Sequence, residues 1–140
     1  HITRLILCLL PIAIMFGMVI MLDKREVLSA ESMISWKQEN LIRELLLSCL
    51  LMPIVEEVMF RGILLQNLQP YGKSFAMVVS TTCFILGHGN LVNMVLAIVP
   101  GIVFADTVMK TNGLRYSMLY HMTVNLCGKI VFPLVITFII

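Results

Sequence analysis

The chain has 140 residues, 59% of them hydrophobic and only 13% charged, with a net charge of +2 and a mean hydropathy of +0.97. Soluble domains run nearer roughly 45–50% apolar and about 25% charged, so this composition excludes an ordinary soluble globule and indicates a polytopic membrane protein. The small net charge and the lack of a basic patch with interleaved aromatics exclude nucleic acid as a partner, which leaves the lipid bilayer as the expected one.

Leu5 to Leu22 is an apolar run between Arg4 and the charged Asp23-Lys24-Arg25-Glu26. About eighteen residues are just enough to span a bilayer as a helix. A cleaved signal peptide is the competing reading, with Ser29-Ala30 as a poor cleavage site, and the length of the run favours an anchor. The chain opens at His1 rather than Met, so upstream sequence is expected to be missing or removed. Asp23 to Asn40 is polar and carries Trp36, which reads as a surface loop with a short interfacial helix at headgroup level. Leu41 to about Leu68 is a long helix candidate with Pro53 inside it. A mid-helix proline deletes one backbone bond and frees the carbonyl four residues earlier, at Cys49, so a kink is expected just before Glu56. Asn67, Pro70 and Gly72 end this helix in a turn.

Ser74 to His88 is a further span, closing in Gly87-His88-Gly89-Asn90. Leu91 to Val108 is another, expected to be broken at Pro100-Gly101, and Thr111-Asn112-Gly113 is a turn signal. Leu114 to Cys127 follows, then a break at Gly128-Lys129 and a short final span from Ile130 to Ile140; a single bent helix over Leu114 to Ile140 is the alternative. The expected fold is therefore an all-α bundle of about five to six membrane spans around an intramembrane polar cavity. Residues 1–40 would form an anchor helix and polar loop, and residues 41–140 the helical core of a single domain. Counting cations does not orient it: Lys24, Arg25, Lys37 and Lys129 fall on one side, Arg4, Lys73, Lys110 and Arg115 on the other. Cys8, Cys49, Cys83 and Cys127 all lie in apolar segments without a CxxC pair, and read as buried thiols.

The chemistry concentrates in a few polar groups at membrane depth, where ionisable side chains are costly and mark function by default. Glu57 and Arg61 are four apart, share a helix face and form a favourable charge pair. Glu56 points about 100° away and has no such partner in its own helix, so it is the acid free to act as a general base, the other reading being that all three charges form one interhelical salt-bridge knot. His88 sits between Gly87 and Gly89, which allow close approach of a backbone or substrate. His121 and Asn125 are four apart and can aim hydrogen-bond donors at one oxygen, as an oxyanion hole requires; interhelical hydrogen bonding is the other use of such a pair. Together these groups make a hydrolytic set, and with no Ser or Cys in a nucleophile context, water is the natural nucleophile.

Glu56-Glu57-x-x-x-Arg61, then Phe84-x-x-x-His88, then His121-x-x-x-Asn125 resembles, in that order, the CAAX protease and bacteriocin-processing (CPBP) family of intramembrane proteases. The longer pattern Glu-Glu-x-x-Phe-Arg-Gly-x-Leu is matched at every fixed position from Glu56 to Leu64, and the resemblance covers about Leu41 to Leu126. It implies an all-α membrane fold with a conical cavity. In it Glu56 would activate water with the help of His88, His121 and Asn125 would form the oxyanion site, and Glu57 and Arg61 would support them. The implied protein is a multi-pass cell-membrane endopeptidase acting on a membrane-associated peptide or lipidated peptide. A chain this short and Met-rich looks like a bacterial member, where processing of bacteriocins or immunity to them is the associated role.

Zinc is an open possibility, since Glu56, His88 and His121 are zinc-type ligands. The absence of an HExxH pair and the partnering of His121 with Asn125 favour a metal-free glutamate mechanism. Two other classes compete with a protease. A non-catalytic immunity or peptide-binding membrane protein would use the same polar groups for capture, and a proton-coupled carrier would use them as a relay. The carrier fits less well because the chain has few spans and no inverted repeat.

Overall fold

The computed structural model describes residues 2–21, 38–132 and 135, all within helices or short turns. The expected interfacial helix around Trp36 and most of the expected final span lie outside the described residues. Helix α1 is Ile2–Met21, with Pro11 inside it. Helix α2 is one continuous helical stretch over residues 38–68 with alternating winding: α turns at Gln38–Glu44, π turns at Leu45–Leu51, α turns at Met52–Glu57, π turns at Val58–Leu65 and a last α turn at Gln66–Leu68. Helices α3 (Lys73–Leu86), α4 (Leu91–Thr111) and α5 (Arg115–Leu126) follow, and π turns at Cys127–Val131 prolong α5.

The ends of these helices follow from local chemistry. A 3-10 turn at Gln69–Tyr71 closes α2, and Gly72 then turns the chain at φ +127°, a conformation open to glycine and strained for other residues. Its carbonyl accepts from the Ala76 N–H at 2.9 Å to begin α3. Asn90 caps α4 by accepting the Asn93 N–H at 2.9 Å. Asn112 ends α4 in the left-handed conformation at φ 52°, its N–H donating to the Val108 carbonyl.

Two sequence expectations are corrected, both of them helix breaks. Helix α4 runs unbroken through Pro100-Gly101. Proline removes one backbone bond, and the glycine beside it removes the steric bar to packing. A Cβ at Gly101 would stand 3.0 Å from Thr81 Cγ2 and 3.2 Å from Phe84 Cδ1, so its absence lets α3 and α4 close up and the helix is held by that contact. Gly128-Lys129 does not break α5, because the chain rewinds into π turns there and continues, so over the described residues the alternative of one helix holds instead. In α2, the π register carried one step past Met52 sets the missing Pro53 N–H opposite the Ser48 carbonyl, next to the Cys49 carbonyl of an α register. The Met52 N–H donates to the Leu47 carbonyl five residues back, and in that register the next donor, Pro53, should meet Ser48.

The bundle has one main core of Cys8, Ile12, Phe84, Ala97, Phe104, Tyr120 and Val124, and a second of Leu65, Ala76, Ala105 and Val108. Helix α1 is part of this packing. Besides Cys8 and Ile12, it carries Arg4, which pairs with Asp106 at 2.9 Å and donates to Thr107 Oγ1 at 3.0 Å on α4. The outside is strongly apolar, with Leu46, Leu50, Val78, Val92, Val95 and Leu119 among the exposed aliphatics, a surface suited to lipid. By length and composition α4 alone among the described helices is a candidate membrane span, with mean hydropathy 2.0. Helix α3, with 14 residues, rises about 21 Å, short of a hydrocarbon core of about 30 Å.

Gly101→Ala should be destabilising by about 1–3 kcal/mol, because the added methyl must push α3 away. Equilibrium unfolding in detergent checks this, and an unchanged midpoint would contradict the close contact.

Candidate active site

The acidic pair of α2 is divided by helical geometry. Glu57 and Arg61 are both 0% exposed, with Glu57 Oε1 3.3 Å from Arg61 Nη1. Arg61 is further held by Nη2 donating to the Gly101 carbonyl at 3.0 Å, which ties α2 to α4. Thr81 Oγ1 donates to the same carbonyl at 3.4 Å and brings in α3. The guanidinium carbon lies 4.0 Å from the Phe84 ring centroid and 5.5 Å from that of Phe104, so aromatic faces stabilise the cation where hydrogen bonds do not. Glu57 Oε2 and Arg61 Nε meet no hydrogen-bond partner among the described residues.

His121 joins α5 to both carboxylates. Its Nδ1 is 3.2 Å from Glu57 Oε1 and its Nε2 is 3.6 Å from Glu56 Oε2. The ring is stacked on Phe104 (centroids 5.0 Å, planes 26° apart) and meets Phe84 edge-on at 5.5 Å. It is 3% exposed, whereas the Glu56 side chain is 25% exposed. Since a carboxylate can only accept, the Nδ1 bond requires a proton on that nitrogen.

His88, in the turn after α3, contacts the carbonyl of Phe84 through Nδ1 at 2.9 Å. A carbonyl can only accept, so Nδ1 carries the proton, and in the neutral ring Nε2 keeps its lone pair. Phe84 also packs edge-on against the His88 ring at 4.8 Å. Asn125 donates from Nδ2 to the Ser48 carbonyl at 2.8 Å, across to α2. One turn further, Lys129 pairs with Glu44 at 3.3 Å.

Glu56, His88, His121 and Asn125 all line one cavity of about 470 Å³. Glu57 and Arg61 are absent from its lining and stand behind it. The rest of the wall is largely apolar, with Ile12, Met52, Leu96, Ala97, Pro100 and Val124. Ser48, Asn93 and Lys129 are polar lining residues that sequence reasoning did not single out. Ser48 and Asn93 carry no spacing that marks them, whereas Lys129 stands four residues after Asn125 and so continues the His121–Asn125 series. The aromatic shell had half a signal: Phe84 lies four residues before His88, but nothing marked Phe104.

Glu56, His88 and His121 are the candidate zinc ligands. Among the described residues no three His, Cys, Asp or Glu side chains converge to hold a metal ion, so that set does not fit one in this arrangement.

The fold and the cavity are those of an all-helical protein with a buried ion cluster behind an acid, two histidines and an amide. Residues 38–127 match the family described as type II CAAX prenyl endopeptidase Rce1-like, and the chain belongs to that family. It is a family of membrane-embedded CAAX-type proteases. No curated protein and no solved structure matches the chain. Helix α1 lies outside the matched residues, although it supplies Ile12 to the cavity wall.

Removing one partner of the buried cluster leaves an uncompensated charge. Arg61→Met is expected to cost about 3–5 kcal/mol, whereas Glu56→Gln, at the cavity surface, should cost under about 1 kcal/mol. Unfolding of the two variants in the same detergent compares them directly. Equal costs would contradict the division between a structural and a cavity-facing acid.

Proposed function

We propose that this chain is a multi-pass intramembrane endopeptidase of the cell membrane that hydrolyses a peptide bond of a membrane-associated or lipidated peptide with water activated by Glu56. The observation that carries this reading is the convergence of Glu56, His88, His121 and Asn125 on one cavity, from three separate parts of the fold. Glu56 would take a proton from water, with His88 Nε2 holding the same water through its lone pair. The water oxygen attacks the scissile carbonyl carbon, and negative charge develops on the carbonyl oxygen. His121 and Asn125 would donate to that oxyanion.

The supporting pair has a defined part in this scheme. Glu57 accepts the Nδ1–H of His121 and is itself neutralised by Arg61. His121 would donate at Nε2 as an imidazolium, and with that charge the cluster of Glu56, Glu57, Arg61 and His121 sums to zero. Collapse of the intermediate breaks the C–N bond, and the proton held by Glu56 passes to the leaving amine. The apolar remainder of the wall favours an apolar substrate segment next to the scissile bond. The family's description names prenylated CAAX substrates, which makes a prenylated peptide the first probe to try.

Glu56→Gln should lower cleavage by about 10²–10⁴-fold while the protein still folds and inserts. The measurement is release from a quenched farnesylated CAAX peptide in liposomes, paired with a peptidomic comparison of cells carrying wild type or the variant. Full activity in Glu56→Gln would exclude Glu56 as the base. Protection of cells by that variant without any cleavage would point to peptide capture. Activity of the wild type should survive a strong chelator, and loss that is restored by zinc would overturn the glutamate–water scheme.

A further inference from the structure

We infer that Pro53 is a positioning residue for Asn125: by lacking an N–H it leaves the Ser48 carbonyl free to hold the Asn125 amide in the cavity wall. Its role in activity rests on the proposed protease reading, while its role in holding Asn125 does not. Buried backbone carbonyls in a helix are almost always paired with backbone donors. In an α register Ser48 would pair with the Met52 N–H, but the π turns at Leu45–Leu51 send that N–H to Leu47 instead, one residue earlier. The donor that the π register offers Ser48 is Pro53, which has none. Two local features therefore release this carbonyl, and the atom found on it is Asn125 Nδ2, at 2.8 Å from another helix.

The consequence concerns orientation. A primary amide has two N–H groups on one nitrogen. With one given to Ser48, the amide plane of Asn125 is fixed, and the other N–H remains for an oxygen in the cavity that Asn125 lines. Without that anchor the side chain is free to turn about its χ2, which is broad and roughly two-fold. A preorganised donor is what oxyanion stabilisation requires, because reorientation during the reaction would consume the gain. Pro53 is buried and lies three residues before Glu56, so one short segment of α2 both presents the acid and fixes the donor opposite it.

Three forms of position 53 separate the missing N–H from the ring. Pro53→Ala restores a donor that competes for the Ser48 carbonyl. Lactic acid at position 53, introduced by nonsense suppression, keeps the N–H absent while removing the ring. With the quenched farnesylated peptide as probe, Pro53→Ala should lose roughly ten- to hundredfold in kcat with KM nearly unchanged. The lactic-acid form should recover most of that loss. If the lactic-acid form is as impaired as Pro53→Ala, the ring's packing matters and the inference is wrong.

A second measurement needs no substrate. Asn125→Ala should shift the unfolding equilibrium constant about five- to tenfold less in the Pro53→Ala background than in wild type, because the N–H restored at position 53 then serves the carbonyl that Asn125 abandons. Additive effects would overturn the inference. Coupling in this cycle with no cleavage by the wild type would uphold the Pro53–Ser48–Asn125 link and count against the protease reading alone.

Discussion

A single carboxylate oxygen, Oε1 of Glu57, lies in reach of both Arg61 in its own helix and His121 on α5. Arg61 is fully buried and His121 nearly so, so neither contact is readily given up for solvation. Separating α2 from α5 would strand a charge in low dielectric, which costs far more than a surface pair is worth. Arg61 extends the constraint to α4 through the Gly101 carbonyl, and Gly101 in turn admits Thr81 and Phe84 of α3. Four elements are thus tied to one acid, and the cavity is the space left on its solvent-facing side.

Adjacent residues on a helix point in different directions, and two neighbouring glutamates use that geometry to hold opposite environments. Glu57 turns inward to the cation and the aromatic rings, whereas Glu56, one step away, faces the cavity. Glu57 Oε2 and Arg61 Nε, without a hydrogen-bond partner among the described residues, show that hydrogen bonding alone does not hold the cluster. Phe84 and Phe104 supply part of the hold, both against the guanidinium and both against His121. Packing and charge are therefore coupled here. A change that loosened Phe104 would act on the orientation of His121 before it acted on stability at large.

Much of this was legible in the sequence for reasons of solvent. In a chain with so few charges, Glu56, Glu57 and Arg61 stand out against an apolar background, and the i,i+4 rule pairs Glu57 with Arg61 directly. Gly72 and Asn112 likewise announce turns through backbone preference alone. What the sequence did not carry was the winding of α2 and the continuity of α4, and it left α5 open between a break at Gly128-Lys129 and one bent helix. A proline or glycine signals a local weakness in a helix, but its outcome is decided by the neighbours. At Pro100-Gly101 the close approach of Thr81 and Phe84 holds the helix together, and at Gly128 the chain rewinds rather than stops. The contact of His121 with Glu57 was also invisible, since residues 64 apart share no spacing rule.

The seam between α2 and α5 shows how these unreadable features matter to the chemistry. Along α5 the residues His121, Asn125 and Lys129 are each one turn apart, and they meet Glu56 and Glu57, then Ser48, then Glu44, in antiparallel order. The α5 side is regular through His121 and Asn125, with π winding only from Cys127 on, whereas the α2 side is irregular at Ser48 itself. A uniform α-helix would satisfy its own carbonyls and offer Asn125 nothing in its backbone to hold. The π turns and Pro53 together convert one backbone carbonyl into an acceptor for a neighbouring helix. Irregular winding in α2 is then a condition for the seam, and the polar residues of α5 acquire fixed orientations from it rather than from their own helix. An apolar bundle can in this way build a rigid polar wall without adding further buried charges.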